Sequence, residues 1–458
     1  MIKKQDVSDF ISGKAADGLE ESFLFSFSQS ISESEYFDLT NKFLRISDSS
    51  FYWSNPSEYF SFLAHGSVYS LSGNGIGKLP DFKDKLRNFP FKVISNDSSS
   101  ESSAEPLFAG GIKFPSELSE GKWSDFNFVN FSIPQILLMK KGTDFKIKIH
   151  LFRKDIGELF SKLEFDVRTI PEKAGELPRI ISNNSNADIE QWTESVHEIL
   201  RQISPGKLNK VVLSRFNKIE LNVSPDIFLQ LQKLEINFNN CITFAYKSND
   251  SVFFGSTPEK LFSIKNGFIE TDALAGSAPR GANESEDTEL KEMLLNDWKN
   301  LAEHKSVVDY ILQKLTPLTE KILFDTQPSI KKYSNIQHLY SQIRAIPKSD
   351  ISFFQILESL FPTPAVCGFP GREALSVINR LEDFDRGLFA GSLGWFNLNG
   401  DAEFSVGIRS ALLKGKILYA YAGCGIVTGS DPVSEFNETE LKLKPILNLF
   451  DYETVHKP

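Results

Sequence analysis

The chain has 458 residues, of which 60 are acidic and 50 are basic, so its formal charge at neutral pH is −10. Hydrophobic residues make up 41% and charged residues 24%, a composition typical of a globular protein with ample material for a core. The acidic balance argues against a nucleic-acid-binding protein, since such proteins usually carry a basic surface. Three cysteines exclude a disulfide framework and a four-thiolate zinc site.

No apolar run approaches the roughly 20 residues of a membrane-spanning helix. The N-terminal segment MIKKQDVSDF has two lysines but lacks the apolar core of a signal peptide. We therefore expect a cytoplasmic protein that binds neither a membrane nor a nucleic acid. The composition fits an enzyme that acts on a small molecule.

Residues 1–187 are expected to form mainly short strands. The runs that predict strands are rich in aromatic and β-branched residues and are bounded by turns. In chain order they are FYWS, YFSFLAH, SVYSL, LFAGGIKF and FKIKIHLF. Two polar stretches, residues 95–105 and 182–188, are interpreted as loops, the first because it has too few apolar residues to be ordered by burial.

Residues 188–458 combine helices with strands. Apolar residues from Ile189 to Ile203 lie on one 3.6-period face and predict a helix, and a strand follows from Lys210. One long helix is predicted to begin near Asp287 and to continue its apolar side as far as Leu315.

The C-terminal region returns to strands and ends in a helix. Three strand-forming runs lie within residues 386–428, and Asn399-Gly400 between the first two is a hairpin signal. The last segment is predicted as a helix with Asp431 as N-cap and Pro432 at the first helical position. Because strands and long helices alternate without a regular βαβ rhythm, we predict an α+β fold with extensive antiparallel sheets and helices packed outside them.

The C-terminal helix contains the first candidate site. Glu435, Glu438 and Lys442 are three and four residues apart and therefore share one helix face. One interpretation is a solvated face with an ion pair, and the other is a carboxylate pair for Mg²⁺, which prefers hard oxygen ligands. Glycines favour the second, because they let a backbone approach a ligand closely and a helix N-terminus attracts anions. They are Gly423, Gly425 and Gly429.

Four further charged residues are candidates. Taken alone, Glu303 lies off the apolar stripe of the long helix and fits a surface glutamate. Lys210 opens a strand and is either solvent-facing or, in a closed site where burial lowers its pKa, a base. Glu259 follows a turn at 255–258 that also fits a helix start. Arg409, in mid-strand, is either an outward-facing edge residue or a fork for a substrate carboxylate.

Taken together, these segments resemble the chorismate-utilising enzymes, and within them the isochorismate synthases. The match is strongest between about Gly206 and Leu449. It rests on ten ordered motifs: KVVLSR, GSTPEKL, TDALAGSAPRG, NLAEHKSVV, HLYSQI, FPTPAVCGFP, FDRGLFAGSLGWF, FSVGIRSALL, YAGCGIVTGSDP and EFNETELKLK. The N-terminal third matches more loosely, through LFAGGIKF, Trp123 and FVNFSIPQILL. The resemblance implies one chorismate-binding unit over residues 1–458, with a strand-rich part, 1–187, and a motif-rich catalytic part, 188–458.

The resemblance also implies catalytic and metal-binding roles. Lys210, in KVVLSR, matches the family's general base, which activates a water molecule. Glu259, in GSTPE, matches the general acid near the departing C4 hydroxyl. Glu303 and Glu438 match the two carboxylates of a Mg²⁺ site, and Glu435 matches an acidic residue that holds the metal through water. Mg²⁺ is therefore the implied cofactor.

Further residues match contacts to the substrate. Arg409, in GIRS, and Lys442, in LKLK, match cations that contact substrate carboxylates, and His338, in HLYS, matches a pocket histidine. The full set of implied substrate contacts is Gly276, Ser277, His338, Ala365, Arg409, Gly423 and Lys442.

The implied reaction converts chorismate to isochorismate, by adding water at C2 and losing the C4 hydroxyl, for menaquinone or siderophore biosynthesis. Ammonia-using members that make aminodeoxychorismate often carry a lysine where this chain has Ala275. Anthranilate synthases typically show a segment like SGAPK where residues 367–371 read CGFPG, and TPAV at 363–366 resembles the isomerase branch. We expect a monomer that needs no glutamine amidotransferase subunit.

Two alternatives stay open. Salicylate synthases make isochorismate as an intermediate and then expel pyruvate, so they share the base and the acid. A chorismate-binding relative without activity would usually have lost at least one motif residue. Here all six are present: Lys210, Glu259, Glu303, Arg409, Glu438 and Lys442.

Overall fold

The structure is a computed structural model of the chain. It describes residues 3–14, 23–75, 77, 79–97, 106–118, 121–160, 176–203, 206, 208–332 and 336–452. Within these ranges, no helix is both long and apolar enough to cross a membrane.

The α-helices that lie wholly within the described residues are α1 (Lys4–Lys14), α2 (Glu33–Ile46), α3 (Leu79–Arg87), α4 (Ile189–Ile203), α5 (Ile227–Asn237), α6 (Glu284–Asn296), α7 (Trp298–Leu315), α8 (Phe353–Leu360), α9 (Gly371–Leu381) and α10 (Pro432–Leu447). The predicted helix at 189–203 is α4, and its apolar face is buried as the 3.6-residue period requires. The predicted C-terminal helix is α10, in which the Asp431 side chain accepts the Ser434 N–H as N-cap.

The strands before residue 187 are β1 (Phe23–Ser30), β2 (Ser49–Asn55), β3 (Phe60–His65), β4 (Tyr69–Gly73), β5 (Lys92–Ser95), β6 (Leu107–Ile112), β7 (Val129–Ile133), β8 (Ile136–Lys141), β9 (Asp144–Leu151) and β10 (Arg179–Ser185). The later strands are β11 (Lys210–Leu221), β12 (Ile242–Ser248), β13 (Ser251–Thr257), β14 (Lys260–Lys265), β15 (Phe268–Pro279), β16 (Thr319–Phe324), β17 (Ser329–Lys332), β18 (Ile336–Pro347), β19 (Gly368–Phe369), β20 (Ser392–Asn397), β21 (Ala402–Val406), β22 (Ser410–Lys414), β23 (Ile417–Val427) and β24 (Asp451–Tyr452).

These strands form two large sheets. The larger has the order β24-β10-β11-β23-β22-β13-β12-β2-β3-β8-β9-β1-β5, with β19 also paired to β11. The smaller has the order β16-β18-β15-β14-β21-β20-β6-β7-β4, with β17 also paired to β18. Among the described strand pairs, only β1–β5 and β10–β24 are parallel. The predicted α+β class with extensive antiparallel sheets is confirmed.

The core lies on both faces of the larger sheet. Along β2, Phe51 and Trp53 belong to one buried cluster and Tyr52 to another, because side chains alternate between the two faces of a strand. The first cluster also contains side chains of the smaller sheet, so the two sheets pack face to face. Polar contacts cross the same interface, where Trp53 Nε1 donates to the Glu403 carboxylate at 3.0 Å. The second cluster joins the opposite face to α1, α2, α5 and α10.

The N-terminal and C-terminal parts contribute neighbouring strands to both sheets. In the larger sheet β2 pairs with β12, and in the smaller sheet β6 pairs with β20. β10 of the first part also pairs with β11 and β24 of the second. Four strand pairs among the described residues therefore connect residues 1–187 to residues 188–458. That the two parts act as one unit stays a prediction.

The prediction of a loop at 182–188 is wrong for residues 182–185, which form the end of β10. Side-chain hydrogen bonds to β11 take the place of apolar burial there. Asn217 Nδ2 donates to Asn183 Oδ1 at 2.8 Å, and Arg215 Nη1 donates to Ser185 Oγ at 3.0 Å. Of the other predicted loop, residues 98–105 lie outside the described residues.

The single long helix predicted from Asp287 is also wrong, because the chain forms two helices, α6 and α7, that meet at Asp297. The backbone of Asp297 is extended and its carboxylate accepts the Asn300 N–H at 2.8 Å, which makes it an N-cap. Met293 and Trp298, expected on the apolar side, are 62% and 79% exposed. Both side chains therefore lie outside the core.

Candidate active site

Lys210 lies at the centre of the site. It opens β11 and is opposite Phe369 of β19 on one side and Val427 of β23 on the other. Its side chain passes over the backbone of Gly425, where an added Cβ would lie 2.3 Å from Lys210 Cε and 3.1 Å from Nζ. A glycine at 425 therefore provides the space in which the lysine lies.

The surroundings of Lys210 suit a base. Burial lowers the pKa of its amine, and the nearby positive charge of Lys442 acts in the same direction. The carboxylates of Glu303, Glu259 and Glu438 act in the opposite direction but do not outweigh burial. Within the described part of the chain, no carboxylate lies within ion-pair distance of this amine. Its neutral form is therefore favoured relative to a lysine in water.

Glu259 lies in the short connection between β13 and β14. The alternative of a helix start is not found, since strands flank it on both sides. Its backbone is fixed, because the Val406 N–H donates to the Glu259 carbonyl at 3.0 Å. Its carboxyl accepts a hydrogen bond from Thr363 Oγ1 at 3.2 Å. Burial raises the pKa of this carboxyl, while Thr363 and the charge of Lys210 oppose the rise. The protonated form, which can act as a general acid, is therefore favoured relative to a glutamate in water.

Arg409 does not lie in mid-strand, as predicted, but between β21 and β22 with φ of +52°. This left-handed conformation is costly for a residue with a side chain and commonly occurs at functional sites. The Ser256 N–H stabilises it by donating to the Arg409 carbonyl at 3.3 Å. A Cβ on Gly255 would lie 2.5 Å from the same carbonyl oxygen, so the neighbouring strand also needs a glycine.

The guanidinium of Arg409 is available to an anion. Burial lowers its pKa, and the charges of Glu438 and Glu259 oppose that effect. Arg409 forms no ion pair within the described ranges. An arginine fork that is half-buried, and that has no carboxylate partner among the described residues, suits a substrate carboxylate better than the exposed strand edge that was the alternative.

Helix α10 places three predicted residues beside the same pocket. Lys442 Nζ lies 2.5 Å from Glu438 Oε1 and donates to the Gly423 carbonyl at 3.0 Å. Glu435 accepts a hydrogen bond from Ser430 Oγ at 2.7 Å. The predicted i,i+4 ion pair is present, and 49% of the Glu438 side chain is exposed. The ion pair therefore borders the pocket and is open to solvent.

Another part of the site lies on the smaller sheet. Gly276, with φ of +72°, lies where the register between β15 and β18 shifts. The next residue, Ser277, shares a 2.7 Å hydrogen bond with His338 Nδ1. Burial lowers the pKa of His338, and the charge of Arg409 acts in the same direction. Ala365 is exposed in the turn that follows Thr363.

The structure thus brings most of the predicted residues to one pocket. Electrostatic interactions connect Lys210 to Glu259, Glu303, Glu438 and Lys442, and Arg409 interacts with Glu259, Glu438 and His338. Gly423 and Ser277 join this group through direct hydrogen bonds. Ala365 and Glu435 form no hydrogen bond or ion pair with the base or the acid among the described residues.

Two carboxylates are suitable ligands for a metal ion. Glu303 on α7 and Glu438 on α10 both act electrostatically on Lys210, so the two helices bring them to the same pocket. Mg²⁺ usually takes one or two carboxylates from a protein and completes its shell with water and substrate oxygens. Over the described residues, no group of three or more His, Cys, Asp and Glu side chains is placed to hold a metal. The two carboxylates are hard oxygen ligands of the kind that Mg²⁺ takes.

Three residues were missed by the sequence reasoning. Thr363 lies within a quoted motif, but no spacing rule connects it to Glu259. Glu382 and Arg386 are four apart, which usually indicates a solvent-exposed helix pair. Here both are buried, and Arg386 Nε donates to Glu382 Oε2 at 2.7 Å. The signal that was available is Arg386, a charged residue within the motif FDRGLFAGSLGWF, four residues after Glu382.

Comparisons with known proteins identify the family of the chain and its fold. The sequence profile of the chorismate binding enzyme family matches residues 11–451. Isochorismate synthase MenF of Bacillus subtilis is 28% identical over 409 residues, which cover 87% of each protein. Anthranilate synthase component 1 of Saccharolobus solfataricus is 32% identical, covering 84% of this chain and 89% of that protein. The structure of MenF, the menaquinone-specific isochorismate synthase from Escherichia coli, has the same fold, with a TM-score of 0.80 at 23% identity, covering 97% of this chain and 100% of that chain. Since the family profile spans nearly the whole sequence, the chain belongs to the chorismate binding enzymes.

Proposed function

We propose that this protein is a Mg²⁺-dependent isochorismate synthase. The observation that carries the proposal is the pair Lys210 and Glu259, a base and an acid in one pocket. Burial lowers the pKa of the amine and raises the pKa of the carboxyl. Both shifts favour the protonation states that the addition of water and the loss of hydroxide require. The B. subtilis relative named isochorismate synthase supports the same reaction.

In the proposed reaction Lys210 accepts a proton from water as the water oxygen attacks C2 of chorismate. The ring double bonds shift, the C4–O bond breaks, and Glu259 donates a proton so that the C4 hydroxyl leaves as water. Isochorismate forms without net gain or loss of atoms. Exchange with solvent then returns the proton from Lys210 to Glu259. In the reverse direction the two groups exchange their roles.

Charge complementarity supports a dianionic substrate. The protein is acidic overall, so an anion must be neutralised locally. Arg409 and Lys442 provide two positive charges at the pocket, and Glu303 and Glu438 would hold Mg²⁺. When bound, Mg²⁺ polarises a substrate carboxylate and stabilises negative charge that spreads into the conjugated ring. Arg409→Ala should weaken substrate binding as well as turnover, because it contacts the ground-state carboxylate.

Product analysis tests the proposal. Purified protein is incubated with chorismate and Mg²⁺, with and without ammonium, and the products are separated by chromatography. Isochorismate alone is the expected product in both cases. Salicylate with pyruvate would favour a salicylate synthase, and anthranilate formed with ammonium would favour the branch of the S. solfataricus relative. Near-normal turnover in Lys210→Ala at saturating chorismate would show that Lys210 is not the base.

We further propose that the enzyme acts as a monomer in the cytoplasm, without a glutamine amidotransferase subunit, and that its product enters menaquinone or siderophore synthesis. The chain has Ala275 at the position where ammonia-using relatives often have a lysine. Light scattering on the active protein measures its mass, and a stable dimer would contradict the monomer.

A further inference from the structure

We infer that Thr363 is a positioning residue for Glu259. The Thr363 hydroxyl donates a hydrogen bond to one oxygen of the Glu259 carboxyl and leaves the other oxygen to carry the proton that reaches the substrate. This inference rests on the proposed function, in which Glu259 is the general acid. It adds to the site a residue that orients the acid without itself touching the reacting atoms.

Hydrogen bonds hold both the main chain of Glu259 and one oxygen of its carboxyl. Its main chain is held by Val406 and by Thr257, whose Oγ1 accepts the Glu259 N–H at 3.2 Å. Its carboxyl accepts from Thr363 Oγ1 at 3.2 Å through Oε1, and no other hydrogen bond to this carboxyl occurs among the described residues. A hydroxyl that donates to Oε1 disfavours a proton on that oxygen. The proton is therefore directed to Oε2, the oxygen left without a protein partner.

Thr363 is itself held rigidly. Its carbonyl accepts the Cys367 N–H at 2.9 Å and the Val366 N–H at 3.2 Å, which closes the turn that follows it. The Val366 carbonyl in turn accepts Arg386 Nη1 at 2.8 Å. A buried ion pair to Glu382 fixes the guanidinium. The hydroxyl is thus presented to Glu259 from a fixed backbone.

The ion pair between Arg386 and Glu382 also binds the backbone of β11, the strand that begins with Lys210. Arg386 Nη2 donates to the Val212 carbonyl at 2.7 Å, and Glu382 Oε1 accepts the Ser214 N–H at 2.8 Å. Val212 and Ser214 lie two and four residues after Lys210 in β11. The turn that orients the acid and the strand that begins with the base are therefore attached to one buried guanidinium. This arrangement fixes the position of Thr363 relative to Lys210.

The Thr363 hydrogen bond also stabilises the carboxylate that remains after proton transfer. Burial of Glu259 raises its pKa, and the hydroxyl opposes that effect. Without the hydroxyl the carboxyl would hold its proton more tightly, and the proton would occupy either oxygen. Proton donation should then slow, while substrate binding through Arg409 and Lys442 is unaffected.

The test compares Thr363→Val, which removes the hydroxyl at constant shape, with Thr363→Ser, which retains it. We expect Thr363→Val to lower kcat roughly 10–100-fold with little change in KM, the range that one hydrogen bond to a charged group represents. Thr363→Ser should restore most of the loss. A Thr363→Val variant with the wild-type kcat, or a Thr363→Ser variant as slow as Thr363→Val, would overturn the inference.

A second readout does not depend on turnover. Infrared difference spectra of each protein against its Glu259→Gln counterpart isolate the carboxyl stretch of protonated Glu259, whose loss with rising pH gives the titration midpoint. The midpoint should move to higher pH in Thr363→Val and stay near wild type in Thr363→Ser. An unchanged midpoint in Thr363→Val would overturn the inference. Wild-type protein that titrates as expected but makes no isochorismate would instead overturn the proposed function alone.

Discussion

Replacing Gly425 with alanine tests whether the position of Lys210 matters for catalysis. The new methyl group would lie 2.3 Å from Lys210 Cε and 3.1 Å from its Nζ. Carbon atoms in contact are at least about 3.5 Å apart. The lysine Cε must therefore move by about 1.2 Å, and the amine moves with it.

The consequences for activity and for stability should differ. A displacement of about 1 Å in a reacting group costs on the order of 10²-fold in rate, so we expect kcat to fall by about that factor. The clash involves the end of a flexible side chain and not the backbone of β23. Alanine is also favoured over glycine in a strand by roughly 0.5–1 kcal/mol. The free energy of unfolding should therefore be equal to or slightly above that of wild type.

Steady-state kinetics and urea denaturation of Gly425→Ala measure both quantities. Gly371→Ala is the matched control, because an added Cβ at the first residue of α9 meets no atom within 4 Å. Its kcat should equal that of wild type. A Gly425→Ala protein with wild-type kcat would show that Lys210 tolerates displacement, and the assignment of a precisely placed base to this lysine would then fail.

Four further outcomes are expected. Lys210→Met and Glu259→Gln should each lower turnover by about 10²–10⁴-fold. Both substitutions should also raise the free energy of unfolding at neutral pH, because burial disfavours the charged form of both groups. Burial raises the pKa of Glu259 on folding, so the wild type loses stability as the pH rises above the ordinary glutamate pKa and through the raised one. The stability advantage of Glu259→Gln in urea denaturation should therefore grow as the pH rises over that range, and an advantage that shrinks would contradict the assignment. Arg386→Met leaves the Glu382 carboxylate buried without its partner and should cost about 3–5 kcal/mol of unfolding free energy. Adding Glu382→Leu to that variant should restore most of the loss. An Arg386→Met protein as stable as wild type would contradict this expectation. Glu438→Gln should nearly abolish turnover and reduce the thermal stabilisation by Mg²⁺ without unfolding the protein. If the wild-type protein keeps its activity in EDTA, the proposed role of the metal in turnover is wrong. Limited proteolysis should cut within residues 95–105 without releasing an active C-terminal fragment, whereas an active fragment that begins near Asp188 would contradict the single unit.

Local sequence patterns predicted much of this protein because they report the environment of consecutive residues. The 3.6-residue period identified α4, and Asp431 with Pro432 identified the start of α10. The mixed order of strands and helices predicted the α+β class. The family resemblance, carried by short motifs, predicted the residues of the candidate site.

Tertiary structure decided what those residues can do. The pairing of β11 with β23 places Gly425 beneath Lys210, and burial in that pocket lowers the pKa of the lysine. The local pattern predicted that Arg409 lies in a strand. Instead its backbone is left-handed, and the N–H of Ser256 in the neighbouring strand β13 stabilises this conformation by donating to the Arg409 carbonyl. Thr363 and Glu259 are 104 residues apart in the chain, and only the folded sheets bring their oxygens to 3.2 Å. A single sequence contains no local signal for such a contact, because its free energy depends on the packing of segments that are distant along the chain.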